Sequence, residues 1–134
     1  MRDITFIIGL PGSGKTTLAE SLVKEGVTLI DDFCVVVQAG EAPEVLQNAG
    51  DKVVITDPKA CLVKPQVILE KLEGWGGPCK VRFIAFENDV EACWNNIKAR
   101  DDGRRISLTY VKNLAKSYDP KEWGEVVPVY KVDA

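Results

Sequence analysis

Residues 6 to 20 read FIIGLPGSGKTTLAE, and Gly9, Gly14, Lys15 and Thr16 within them satisfy the pattern G-x-x-x-x-G-K-[ST]. No other stretch constrains the fold as much. A polyphosphate packs several negative charges into a small volume, so holding one takes many donors and little side-chain bulk. Glycines let backbone N–H groups turn inward, and a helix starting at the lysine adds the positive end of its dipole. The pattern therefore demands a strand running into Gly9 and a helix opening near Lys15. Both flanks read that way: Ile4 to Ile8 is almost continuously apolar, and Leu18, Leu22 and Val23 recur at helical spacing. A chance match arises in about one chain in two hundred of this length. The expected cradle is Gly9, Pro11, Gly12, Ser13 and Gly14, with Lys15 on the outer phosphates. Thr16 and Thr17 complete it, the Thr16 hydroxyl serving as a ligand for Mg2+.

The rest of the chain alternates short apolar runs with helix-like segments. Further strands are predicted at 27–31 (VTLID), 52–57 (KVVITD), 80–86 (KVRFIAF) and 126–132 (VVPVYKV), with Pro128 marking the last as an edge. Helices are predicted at 15–25, stopped by Gly26, and at 64–74, 88–100 and 107–118. Val90, Trp94 and Ile97 share one side of the third, which suits Trp94 to core packing, and Ser107 caps the fourth. Residues 33 to 50 are ambiguous beyond a short helix in EAPEVLQNAG. Alternation of strand and helix makes the class α/β with a mainly parallel sheet. At 134 residues the chain is one domain over 1–134.

Composition excludes several functions. The longest apolar runs are far too short to cross a bilayer, and the first residues lack the layout of a secretory signal, so the reading is a cytoplasmic protein with no membrane partner. Four scattered cysteines and no histidine leave neither a zinc pattern nor a disulfide framework. Without histidine, acid–base chemistry falls to carboxylates, lysines, tyrosines or thiols. A net charge of −3 lacks the basic footprint of an extended nucleic-acid interface, although KARDDGRR and DPKACLVK group basic residues locally.

In open parallel sheets, ligands sit beyond the carboxyl ends of the strands, and acids stand at two of those ends. Asp57 closes VVITD and reads as a metal-side carboxylate, or as a turn-former before Pro58. Asp31 and Asp32 follow the second strand as caps for the next segment, or as the base that takes a proton from an attacking hydroxyl. Asp31 ends the strand more directly and is the choice for the base. Farther on, IKARDDGRRIS carries Arg100, Arg104 and Arg105 around Gly103. Arginines on such a segment stabilise charge that builds during phosphoryl transfer, or else sit in solvent at a helix C-terminus.

Together GLPGSGKTT, LIDDF after the second strand, VVITD at the third, RDDGR in a lid position and SLTYVKNLAKSYDP resemble the kinase domain of phage-type polynucleotide 5′-kinases. That family lies within the small P-loop kinases with an adenylate-kinase-like core. The resemblance implies a three-layer P-loop NTPase with a five-stranded sheet ordered 2-3-1-4-5, using ATP and Mg2+. It places Lys15 and Thr16 on the phosphates and metal, and Asp31 as the acid that activates the acceptor hydroxyl. Asp57 falls beside the acceptor and phosphate side of the cleft. Arg100 and Arg104 fall on the nucleotide and its phosphates. One departure is the lack of any basic residue from position 32 until Lys52, which also speaks against a nucleotide monophosphate as acceptor. The acceptor ranked first is a nucleic-acid hydroxyl, either a 5′-end or a hydroxylated base of phage DNA. A nucleoside or other small-molecule alcohol comes second. A nucleotide-binding switch or NTPase without an acceptor is the remaining class.

Overall fold

The computed structural model describes residues 1–100 and 105–131. Its elements run β1 (Arg2–Ile8), α1 (Lys15–Leu22), β2 (Val27–Ile30), α2 (Phe33–Gln38), α3 (Ala42–Gln47), β3 (Lys52–Asp57), α4 (Pro65–Gly76), β4 (Cys79–Phe86), α5 (Val90–Ala99), α6 (Leu108–Ala115) and β5 (Glu125–Val127). Single turns of 3-10 helix follow β3 (Lys59–Leu62) and precede β5 (Pro120–Glu122). The five strands form one sheet ordered β2-β3-β1-β4-β5, and every pairing is parallel. The expected class and strand order are both present.

Side chains alternate faces along a strand, so consecutive buried residues mean that both faces are covered. Phe6, Ile7 and Ile8 are all fully buried on the central strand, as are Val53 to Asp57 on its neighbour. That burial makes the three layers. Across one stretch of core, aromatic rings meet edge to face: Phe6 lies 6.1 Å from Phe33 and 5.8 Å from Phe83, and Phe83 lies 5.1 Å from Trp123. Phe33 also meets Trp75 at 6.2 Å. The first residue of α2 is thus anchored on the central strand. The register puts Ile8 level with Asp57 on one side and Ala85 on the other, so three strands end together where the loop after β1 begins. The Tyr118 hydroxyl seals that rim by donating to the Phe86 carbonyl, with the Ile8 carbonyl 3.4 Å away.

Several boundaries differ from expectation. Helix α1 ends at Leu22, and Gly26, with φ 82°, sits in the turn into β2, where Val27 N–H donates to the Lys24 carbonyl. The ambiguous segment forms α2, and the short helix expected in EAPEVLQNAG is present as α3. Strand β5 is an edge strand as predicted, yet it covers only Glu125–Val127, because Pro128 has no N–H to continue the ladder. Helix α6 covers 108–115, and Ser107 caps it by accepting from Tyr110 N–H at 3.1 Å. Trp94 is half-buried and stands outside the core; α5 instead buries Ala92, Cys93 and Asn96. The four cysteines are free, two of them buried. Among the described residues, no helix is long and apolar enough to cross a membrane.

Tyr118→Phe removes the hydroxyl that closes the β1–β4 rim and leaves a buried carbonyl short of a donor. We expect it to lower unfolding free energy by about 1–2 kcal/mol in chemical denaturation while the fold persists.

Candidate active site

The loop after β1 is built as a cradle. Gly12 and Gly14 have φ of 83° and 106°, a region that side chains disfavour. A Cβ on Gly12 would lie 2.4 Å from the Cys93 carbonyl oxygen, so α5 presses directly on the loop. A Cβ on Gly9 would meet Ser13 Oγ at 2.5 Å and Phe86 Cβ at 3.0 Å. Helix α1 then opens at Lys15 with no side chain capping its first turn, which leaves donors facing outward. Lys15 is buried, and its Nζ donates to the Leu10 carbonyl at 2.8 Å, the same oxygen that receives Ser13 N–H at 3.1 Å. Burial pushes this ammonium down from its ordinary value; Asp32 and Asp57 are among the charges opposing that shift. Thr16 and Thr17 are exposed. Ser13 Oγ is buried with no hydrogen-bond partner among the described residues.

The loop forms the floor of a cleft of about 770 Å3. Pro11, Gly12, Gly14, Lys15, Thr16 and Thr17 line one side. Asp32 and Pro58 come from the ends of β2 and β3, and Asn96, Ala99, Arg100, Arg105, Ile106 and Tyr110 from α5, α6 and their connection. Tyr130 closes the C-terminal side.

The paired acids separate. Asp32 lines the cleft, whereas Asp31 is exposed and accepts a hydrogen bond from the Thr56 hydroxyl. The structure therefore brings Asp32, and not the acid chosen from the sequence, to face Lys15 and Thr16. Asp32 occupies the N-cap position of α2 but makes no capping bond, so the local role open to it is unused. By contrast, Asp89 and Ser107 do cap their helices.

Asp57 forms the turn considered for it. Its Oδ1 accepts from Lys59 N–H at 3.1 Å, the turn expected ahead of the basic segment, and its carboxylate is buried close to Lys15. Burial pushes its carboxyl above the ordinary value, partly offset by a hydrogen bond from the Cys34 thiol. The same burial, with Asp57 nearby, raises the Cys34 thiol to about 11. Arg100 lines the cleft from the end of α5, and Arg105 joins it. Arg104 lies outside the described residues.

No protein-family model matches the chain. Over 121 residues it is 31% identical to an uncharacterized protein of Acanthamoeba polyphaga mimivirus, spanning 88% of this chain and 87% of that one. The chain belongs to the family of this mimivirus protein. Solved structures with a similar fold include a gluconokinase from Sinorhizobium meliloti 1021, with TM-score 0.66 and 13% identity over 98% of this chain and 86% of that one. A sugar kinase from Janibacter sp. HTCC2649 superposes with TM-score 0.67 and 17% identity over 96% and 86% of the two chains. Shikimate kinase from Bacteroides thetaiotaomicron gives 0.55 and 15% over 94% and 85%. At such identities the likeness establishes the fold, that of the small P-loop kinases. It bears out that part of the sequence resemblance.

Asn96 is a site residue that sequence reasoning missed. Its Nδ2 donates to the Gly12 carbonyl at 2.9 Å and to the Tyr130 carbonyl, tying the loop to the C-terminal segment. The one available signal was an amide one helical turn beyond Ala92, on a face that must pack. Tyr110 lay inside SLTYVKNLAKSYDP without a role of its own, and Tyr130 lay in no motif.

Asp57→Asn tests the buried carboxylate. Below the ordinary carboxylate value, near pH 4, folded and unfolded forms are both protonated and the variant gains little. As pH rises through the elevated folded value, the native chain must ionise a buried group that asparagine does not have. The ligand-free variant should therefore melt about 2–6 °C higher than the native chain at pH 8, with the difference shrinking toward pH 4. A gain that grows toward low pH would contradict the assignment.

Proposed function

We propose that this protein is a single-domain kinase that uses ATP and Mg2+ to phosphorylate an alcohol, acting in the cytoplasm. The observation that carries the reading is that Lys15, Thr16 and Asp32 line one cleft. Nothing local requires an acid in the left-handed turn that places Asp32 there, and its carboxylate serves no cap. A module that only bound nucleotide would need the loop and not this acid.

The residues suit the metal as well as the nucleotide. An exposed Thr16 hydroxyl and the Asp57 carboxylate are hard oxygen donors of the kind Mg2+ takes, and a buried carboxylate with a raised value is one that a cation would return to its ionised form. Bound there, Mg2+ would neutralise charge on the phosphates. The protein's own groups do the rest. Backbone N–H groups of the loop and first turn of α1 hold the phosphates, and Lys15 exchanges the Leu10 carbonyl for an outer phosphate oxygen. Asp32 accepts the proton of the attacking hydroxyl. Arg100 and Arg105, with Arg104, supply positive charge as the transferring group moves.

For the acceptor, a small-molecule alcohol is favoured over a nucleic-acid hydroxyl. From Asp32 to Asp51 there are four acids, Asp32, Glu41, Glu44 and Asp51, and no base. A polyanion approaching this flank meets like charge without the cations that nucleic-acid affinity rests on. The structural neighbours named gluconokinase, sugar kinase and shikimate kinase point the same way as fold-level analogies only.

Calorimetry with Mg-ATP and a panel of labelled acceptors tests the reading. Lys15→Ala should lose nucleotide binding. Asp32→Asn should keep ATP affinity within about threefold and lower turnover by roughly 10²–10⁴. Phosphoryl transfer is expected to sugars, polyols or nucleosides. Efficient transfer to a 5′-hydroxyl oligonucleotide or hydroxymethylated DNA would overturn the acceptor class. ATP binding with transfer to nothing would favour the switch.

A further inference from the structure

Among the described residues, Asp32 is the one non-glycine with positive φ, at φ 51° and ψ 62°. Aspartate tolerates this region better than most residues but does not choose it unaided. Two contacts hold it. Behind it, Asp32 N–H donates to Thr56 Oγ1 at 3.0 Å, and the same hydroxyl gives its proton to Asp31 Oδ1. Ahead of it, Phe33 is buried against Phe6 of the central strand.

Thr56 is fully buried on β3, next to Ile55, which pairs with Ile30 at the end of β2. A threonine hydroxyl offers one proton and two lone pairs. With Asp31 taking the proton, a lone pair is left to face the Asp32 amide. Asp31 therefore fixes the direction of the hydroxyl, and the hydroxyl fixes the peptide that carries Asp32. Were the hydroxyl to rotate, the Asp32 N–H would lose its acceptor and the turn its main restraint.

We propose that Thr56 and Asp31 are positioning residues that lock Asp32 in its left-handed turn and so aim its carboxylate at the acceptor. The two adjacent acids then have different tasks: the first orients, the second takes the proton. This rests on the kinase reading for its effect on turnover, but its conformational part does not.

The test compares Thr56→Val, which keeps shape and removes the hydroxyl, with Thr56→Ser, which restores it. Thr56→Val should lower kcat about 10–100-fold, the scale of a misaimed catalytic group, while Mg-ATP Kd stays within about twofold. Amide hydrogen exchange at Asp32, read by NMR, should speed up about tenfold or more as its acceptor is lost. Thr56→Ser should recover both. If Thr56→Val does not fold, Asp31→Ala frees the hydroxyl to rotate and should shift the same two readouts in the same direction. Unchanged Asp32 exchange, or native turnover in Thr56→Val, overturns the proposal. If the native protein transfers phosphate to nothing, the kinase reading fails and the exchange result alone decides whether Thr56 holds Asp32.

Discussion

The carbonyl of Leu10 is the point on which the site turns. It receives both the Lys15 ammonium and the Ser13 amide, which pin the loop in its curved form. Asn96 does the same from the other side by holding the Gly12 carbonyl. These bonds use carbonyl oxygens as internal substitutes for negative charge. A loop of this curvature would otherwise have to order itself when the ligand arrives, and that ordering would subtract from affinity. The arrangement is not free of strain in the electrostatic sense. A buried lysine, a buried carboxylate at Asp57 and a Ser13 hydroxyl with no partner among the described residues are each unfavourable by themselves. Each is of a kind that a metal-bound polyphosphate would relieve, so stability has been given up where binding can restore it.

The loop can hold that shape because of what packs around it. Gly12 leaves so little room that the Cys93 carbonyl oxygen would lie 2.4 Å from any side chain there. Close approach of a helix backbone requires small residues on its contact face, and α5 supplies Ala92 and Cys93. Of the apolar stripe Val90, Trp94 and Ile97, the first and last do pack against the core, and Trp94 alone stands outside it. The sequence pattern recorded hydrophobicity, while the packing selected for size.

Much of the fold was legible for a physical reason. Buried parallel strands must be apolar on both faces, so β1 and β3 stand out as near-continuous runs, and the phosphate motif fixes where the first ends and α1 starts. Helix α3 was legible as the short helix in EAPEVLQNAG, whereas α2 was not, because VVVQ carries no period and its cap uses no side chain. The choice between Asp31 and Asp32 was not legible either. Strand continuity favours the first acid, but which side chain faces the cleft depends on a hydroxyl 24 residues away in sequence. Long-range contacts of that kind leave no local trace, and a single turned peptide exchanges the two carboxylates.

Helix α5 links the two halves of the proposed chemistry by a fixed distance. Asn96, which clasps the loop, and Arg100, which lines the same cleft, are four residues apart, about 6 Å along the axis and on one face of the helix. At Arg100 the backbone leaves the helix, with φ −78° and ψ 137°, so this arginine stands at the C-terminal end of α5. A helix is stiff along its axis. Anchoring it to the loop after β1 by Asn96 therefore fixes where the C-terminal end of α5, and Arg100 with it, stands relative to that loop. The same amide reaches the Tyr130 carbonyl, which brings the C-terminal segment under the same anchor. One asparagine thus ties together the phosphate floor, the arginine side and the far wall of the cleft, three elements that are distant in the chain.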